Sequence, residues 1–171
     1  MIVASAGNSG GNCSTVNNAP GMLNQSFTVG ATDSTNGIAG FSSRGPSLFT
    51  GLLKPDVVGP GVGVRSTMKG TPNAYGTLSG TSMAAPHVAG VVALLWSAVP
   101  TLRGDIAETE RILRVTATPM TTTQTCNNVL GSAHPNNTFG YGLVNAEAAV
   151  NYARFRFRYY FPFMPPLQKS V

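Results

Sequence analysis

The sequence predicts an α/β domain, and three observations lead to this class. Short β-prone apolar runs end in glycine-rich loops, as at residues 1–6 and 27–32. The run from Met83 to Trp96 contains no charged residue, so it predicts a helix that is apolar nearly all round and therefore buried. A second helix is predicted over 105–116, because its acidic residues come early and its basic residues late, in the order that suits a helix dipole.

The composition is that of a compact, loop-rich domain. The 171 residues suffice for one core, and 42% are hydrophobic while only 10% are charged, unlike a disordered chain. The net charge of +5 comes mostly from the end of the chain, since the residues before 154 have seven basic and six acidic side chains. We therefore infer no nucleic-acid partner. No run of 18 apolar residues and no signal-peptide pattern occur, so we expect no membrane span.

Further elements follow along the chain. A third strand is expected over 38–43, and residues 54–67 have the pattern of a turn, a strand, a second turn and a second strand. Asn145 is the expected N-cap of a helix over 146–153, which ends the body of the domain at 1–153. In the tail, 154–171, basic and aromatic residues alternate at first with strand-like period. The tail is expected to be a linker or a docked terminal segment, with membrane-surface or nucleic-acid contact as the less favoured alternative.

Ser82 stands where the long apolar helix is expected to begin. The first turn of a helix has unpaired N–H groups and a positive dipole potential, so a serine there is well placed to attack a carbonyl group. Gly80, just before it, allows another segment to approach the backbone closely. The alternative is an ordinary helix cap, the commonest role of serine and threonine at this position.

The eleven residues at 80–90, Gly-Thr-Ser-Met-Ala-Ala-Pro-His-Val-Ala-Gly, resemble the nucleophile motif of the subtilisin-like serine proteases, or subtilases. Ala-Gly-Asn-Ser-Gly at 6–10 is similar to the family's oxyanion-hole segment, and residues 140–146 resemble its closing pattern. Within the family, residues 13–16 and 42–46 resemble the bacillopeptidase F branch. The Gly-x-Ser-x-Gly elbow of the α/β-hydrolases is absent around Ser82, which disfavours that fold.

The resemblance covers residues 1–153 and implies the carboxyl-terminal part of a subtilisin-like domain, with a mostly parallel sheet flanked by helices. It implies a secreted or cell-surface serine endopeptidase that cleaves polypeptides through an acyl-enzyme on Ser82. Asn8 and the Ser82 N–H would hold the oxyanion, with support from Thr81. Ser5, Ala6 and Gly7, together with Gly80, would line the substrate pocket. No cofactor is expected, although calcium binds some complete domains of the family.

A base and an orienting acid for Ser82 are not evident in the sequence. His87 follows Ser82 by five residues, which on a helix is roughly 140° round and about 7.5 Å along the axis. The setting of His134 does not match the family's catalytic histidine, and the triad Asp and His of the family precede the oxyanion asparagine. We therefore expect a fragment that is inactive alone, with the missing amino-terminal half of the domain as its partner. The alternative is a non-catalytic pseudoprotease or peptide-binding module.

Two acidic residues and the cysteine pair leave alternatives open. Asp33 follows the second strand and is expected to lie in a solvated turn, with a weak metal site as the alternative. Asp56 follows Lys-Pro, a context that matches a structural turn of the family and not its triad acid. Cys13 and Cys126, the only cysteines, form either a disulfide or two free buried thiols.

Overall fold

The computed structural model describes residues 1–160. Five strands are formed in this part of the chain, together with three α-helices and a short 3₁₀ helix, Pro100–Leu102. The strands are β1 (Ile2–Ser5), β2 (Ser26–Thr32), β3 (Val57–Pro60), β4 (Val64–Thr67) and β5 (Tyr75–Leu78). The α-helices are α1 (Thr81–Ala98), α2 (Ile106–Thr116) and α3 (Ala146–Tyr160).

The main sheet is parallel and has the order β1-β2-β3. Ile2 pairs with Ser26 and Val29 pairs with Val57, so the three strands end at the same edge. Every residue of β2 is buried, which makes it the middle of the core. Strands β4 and β5 form a separate antiparallel hairpin. The predicted α/β fold with a mostly parallel sheet is confirmed.

Helix α1 packs across all three parallel strands. Ala84, Val88 and Leu95 are fully buried on its inner side, and they join Phe27 and Val29 of β2 in one apolar cluster. Helix α3 packs on α1 and α2, so the second and third helices extend the same core. Full burial of a valine, leucine or phenylalanine side chain contributes about 1.5–3 kcal/mol, which fixes α1 against the sheet.

The outer side of α1 is not covered by the described residues. Leu94 is 55% exposed, and its neighbours on this side are also exposed or partly exposed. We call this side the bare flank of α1; its residues are Pro86, His87, Ala89, Gly90, Ala93 and Leu94. The prediction of burial all round was wrong because within residues 1–160 the sheet lies on one side of the helix only.

By length and composition alone α1 is also apolar enough to cross a membrane, a test that core helices of soluble proteins pass as well. In this structure its inner side packs on the sheet. The absence of a membrane span stays a prediction.

Two other sequence predictions differ from the structure. The strand expected over 38–43 is reduced to a single bridge between Thr32 and Ile38, because the chain turns again at once and Ser42 N–H bonds to Ala39 O at 2.9 Å. The strand-like alternation after residue 153 is helical as far as Tyr160, and Arg156 forms an ion pair with Glu108 at 2.8 Å. The rest of the tail, 161–171, lies outside the described residues. Strand β5 was not predicted.

Candidate active site

The carboxyl ends of β1 and β3 meet the start of α1 at one edge of the sheet. Gly80, the residue before α1, donates its N–H to Gly61 O at 2.8 Å, just after β3. Gly7, just after β1, donates its N–H to Thr81 Oγ1 at 3.2 Å. In parallel sheets this edge is where ligands usually bind.

Asn8 is bound directly to the first residue of α1. Its Oδ1 accepts hydrogen bonds from the N–H and from the hydroxyl of Thr81, both at 2.9 Å. A backbone N–H can only donate, so the atom facing Thr81 is the carboxamide oxygen and the Nδ2 amide group is directed elsewhere. Asn8 therefore caps α1 in place of Gly80, which has no side chain to do so.

Ser82 is the second residue of α1, and both it and Asn8 are exposed. Its N–H belongs to the first turn, where amides have no partner within the helix, and the helix dipole is positive there. Asn8 Nδ2 and the Ser82 nitrogen both lie close to residue 80, because a Cβ atom there would be 3.3 Å from the first and 3.8 Å from the second. Amide groups of this kind are the donors that can stabilise the negative oxygen of a tetrahedral intermediate.

Gly80 is needed for the close approach of Asn8 to the helix. A Cβ atom on residue 80 would lie 3.3 Å from Asn8 Nδ2 and 3.8 Å from the Ser82 nitrogen. The first distance is tighter than ordinary van der Waals contact, so a side chain here would push against the amide. The expected close approach at Gly80 is therefore made by Asn8.

The segment proposed as a substrate wall is only partly accessible. Ala6 is 2% exposed and donates its N–H to Val29 O at 2.9 Å, so its side chain belongs to the core. Ser5 and Gly7 are partly exposed. Any contact with substrate at Ala6 would use its backbone.

A cavity of about 310 Å³ lies between strand β4 and the first two turns of α1. Its lining residues are Val64, Arg65, Ser66, Met83, Pro86 and His87. This cavity was not predicted from the sequence, because no motif indicates the β4–β5 hairpin that forms one of its sides.

Neither histidine is placed to act as a base for Ser82. His87 lies one turn after Met83 on α1, and its Nδ1 atom is 2.8 Å from Met83 O. His134 packs edge-on against Tyr141, whose N–H bonds to Asp56 O at the amino end of β3. Among residues 1–160, the described contacts of both histidines are to groups other than Ser82.

Asp56 lies at the opposite end of β3 from Ser82. It is 4% exposed, and its Oδ2 accepts from Lys54 Nζ at 2.7 Å and from Thr28 N–H at 2.8 Å. Its Oδ1 accepts from Arg114 Nη2 at 2.8 Å. This buried ion-pair cluster gives Asp56 a structural role, consistent with the prediction that it is not the triad acid.

Asp33 forms a turn after β2. Its Oδ1 accepts from the Thr35 hydroxyl at 2.7 Å, from Thr35 N–H at 2.8 Å and from Gly37 N–H at 2.9 Å. These bonds, that from the Thr35 side chain above all, lower the pKa of Asp33 below its usual value. Within residues 1–160 no group of three or more His, Cys, Asp or Glu side chains is placed to hold a metal ion. The described contacts of Asp33 are those of a turn.

Cys13 and Cys126 form a disulfide, with their Cα atoms 5.4 Å apart. The bond joins the loop after Asn8 to the loop 121–131, which is 113 residues further along the chain. Of the two alternatives for the cysteines, the structure forms the disulfide.

The exposed Ser82 thus lies at the start of a core helix that is capped by a carboxamide from the end of a parallel strand. The model of the subtilase family matches residues 1–142, and the chain belongs to that family. The predicted recognition is confirmed, and serine peptidase chemistry is the activity of this family.

Curated relatives agree with the family match. Bacillopeptidase F of Bacillus subtilis (strain 168) is 42% identical over 132 residues, which is 77% of this chain and 8% of that protein. Alkaline elastase YaB of Bacillus sp. (strain YaB) is 42% identical over 152 residues, 88% of this chain and 32% of the relative. Subtilisin BL of Lederbergia lenta is 39% identical over 150 residues, 88% of this chain and 46% of the relative. The chain thus spans less than half the length of each of these relatives.

Proposed function

We propose that this chain carries the nucleophile and the oxyanion donors of a secreted or cell-surface serine endopeptidase. The observation that carries the proposal is the bond of Asn8 to Thr81, the immediate neighbour of Ser82. This contact fixes the Asn8 side chain against the first turn of α1, which supports a role for its Nδ2 amide group close to the exposed Ser82 hydroxyl. The Cys13–Cys126 disulfide supports an oxidising compartment outside the cytosol.

In the proposed reaction Ser82 Oγ attacks the carbonyl carbon of a peptide bond. The carbonyl oxygen takes the electron pair as an oxyanion, held by the Ser82 N–H and by Asn8 Nδ2. When the carbonyl reforms, the C–N bond breaks, and the amine leaves with the proton that a base took from Ser82. Water then hydrolyses the acyl-enzyme by the same steps in reverse.

The base and its orienting carboxylate come, in this proposal, from the amino-terminal part of a subtilase domain. Two surfaces of this chain suit such a partner segment. The bare flank of α1 is apolar, and Leu94 on it is 55% exposed. Strand β1 is at the edge of the sheet among the described residues, with Ile2 53% exposed. A partner segment that covered α1 and added a strand next to β1 would bury both of these exposed apolar surfaces.

The chain alone is therefore expected to be nearly inactive. In subtilisin, the family's reference enzyme, loss of the base lowers kcat by about 10⁶, a value carried over from that relative. The competing function is a peptide-binding module without catalysis. It is favoured by one observation, the lack of a histidine beside Ser82 within residues 1–160.

The two functions are separated by labelling and peptide hydrolysis. The test uses this chain together with the amino-terminal part that the proposal requires, a combination called the full-length protein below. It is treated with a fluorophosphonate, next to its Ser82→Ala variant and the 171-residue chain alone. Labelling and hydrolysis that need Ser82 and occur only in the full-length protein support the endopeptidase. Peptide binding by the full-length protein without any labelling would support the binding module.

A further inference from the structure

The turn at residues 7–9, which carries Asn8, is hydrogen-bonded on both sides of Asn8 to one buried residue, Ser43. Ser43 is fully buried and its Oγ accepts the N–H of Ser9 at 3.0 Å. The backbone N–H of Ser43 donates to Gly7 O at 2.9 Å. The two bonds attach the residues immediately before and after Asn8 to the same partner.

Gly7 lets this contact be close. It has a φ of 104°, and a Cβ atom there would lie only 3.0 Å from Ser43 Oγ. On its other side Gly7 donates to Thr81 Oγ1, which itself donates to Asn8 Oδ1. The turn is thus fixed between the start of α1 and Ser43.

We propose that Ser43 is a positioning residue for the oxyanion donor Asn8. The inference rests on the proposed roles of Ser82 and Asn8. Without the Ser43 hydroxyl the Ser9 N–H loses its acceptor, and the turn loses one of its two hydrogen bonds to residue 43. Because an oxyanion donor acts mainly in the transition state, its displacement lowers kcat while the KM stays nearly constant.

Ser42 provides a matched control in the next position of the chain. It is also fully buried, and its Oγ also accepts a backbone N–H at 3.0 Å. Its donor is Ala31, in the middle sheet strand β2, and not a residue of the Asn8 turn. The alanine variants at 42 and 43 therefore remove equivalent hydrogen bonds from different parts of the fold.

The experiment measures kcat and KM for peptide hydrolysis by the full-length protein with Ser43→Ala, Ser42→Ala and Asn8→Ala, singly and in pairs with Asn8→Ala. Ser43→Ala is expected to lower kcat about tenfold, since a misplacement of 1 Å can cost about 100-fold. Ser42→Ala is expected to change kcat less than about twofold while both variants stay folded. In the Asn8→Ala background, Ser43→Ala should have almost no further effect, because residues that act through each other are not additive.

Equal losses for the two serine variants, or an additive effect of Ser43→Ala and Asn8→Ala, would overturn the role of Ser43 and leave the proposed function intact. Hydrolysis that does not depend on Ser82 would overturn both. Hydrogen exchange in the unmodified protein gives a test that needs no variant to fold. The Ser9 amide should exchange slowly although Ser9 is exposed, and rapid exchange would refute the bond to Ser43.

Discussion

Thr81 and Asn8 are 73 residues apart in the chain, yet the carboxamide oxygen of Asn8 accepts both the N–H and the hydroxyl of Thr81 at 2.9 Å. The Asn8 side chain thus caps the helix through its oxygen, whereas the proposed function assigns the oxyanion to its Nδ2 group. Under that proposal, helix stability and oxyanion binding depend on different atoms of one residue, and substitutions can separate the two.

Substitution of Asn8 tests this separation. Asn8→Asp keeps an oxygen for Thr81 and places a negative charge at the helix start, so the melting temperature should be unchanged or higher. It removes the Nδ2 donor, so kcat should fall by ~10² to 10³, a magnitude carried over from subtilisin. Asn8→Ala should lose activity similarly and also about 1 kcal/mol of stability, as a lost cap does. Full kcat in Asn8→Asp would refute the donor role.

Gly80→Ala places a methyl group 3.3 Å from Asn8 Nδ2. The amide must then move by a few tenths of an ångström, and we expect kcat of the full-length protein to fall about tenfold or less. Gly40→Ala is the control, because a Cβ atom there meets nothing within 4 Å. Steady-state kinetics decide the point: the same kcat in both variants would show that Asn8 does not need the space at Gly80.

Gly90→Ala tests whether a segment covers the bare flank of α1. In the described structure a Cβ at Gly90 meets nothing within 4 Å, so alanine should stabilise the 171-residue chain by about 0.5–1 kcal/mol through helix propensity. In the full-length protein the same methyl group should destabilise the covered helix and lower activity. Urea unfolding of both forms measures the difference. Equal stabilisation of both would mean that the flank at Gly90 stays open.

Asp56→Asn should reduce stability and leave catalysis unchanged. The substitution leaves Lys54, 3% exposed, without its carboxylate, and removal of one partner from a buried pair costs about 3 kcal/mol. Glu110→Gln is the control, since Glu110 pairs with the same Arg114 Nη2 at 3.2 Å but its side chain is 18% exposed, against 6% for Asp56. This substitution should cost less than about 1 kcal/mol. A large fall in kcat at constant fold would instead assign Asp56 to the reaction.

Loss of the disulfide should destabilise the chain strongly. Replacement of Cys13 and Cys126 by serine opens a loop of 113 residues, for which we expect a loss of roughly 2–5 kcal/mol. Thermal unfolding of the double serine variant, compared with the oxidised and the reduced parent, measures it. If the parent unfolds at the same temperature with and without reductant, the bond contributes nothing to stability.

The sequence allowed the nucleophile segment and the asparagine turn to be predicted because each lies within one short motif. It also predicted α2, whose N-cap Asp105 accepts the Glu108 N–H at 3.0 Å, because caps and dipole order are local. The Ser43–Ser9 hydrogen bond spans 34 residues of the chain. No local sequence pattern indicates which loop a distant serine will contact. Long-range hydrogen bonds of this kind were the part of the candidate site that sequence reasoning missed.

The failures on the helices have a different cause. An uncharged run such as Met83–Trp96 indicates that the helix packs against other apolar residues. It does not indicate how many sides of the helix are covered by them. The alternation from Arg154 to Arg158 fits a strand, yet Arg156 also lies where a helix continuing from Asn145 meets Glu108. The period of the sequence pattern alone does not decide between a strand and a helix here, because α2 supplies the charge partner of Arg156.

The uncovered side of α1 determines how the 171-residue chain would behave in a test tube. Leu94 and the rest of the bare flank form an exposed apolar surface that a second copy of the chain can contact. Copies would therefore self-associate as the concentration rises. Light scattering would detect this self-association, and so the exposure of the bare flank, more directly than any assay of hydrolysis.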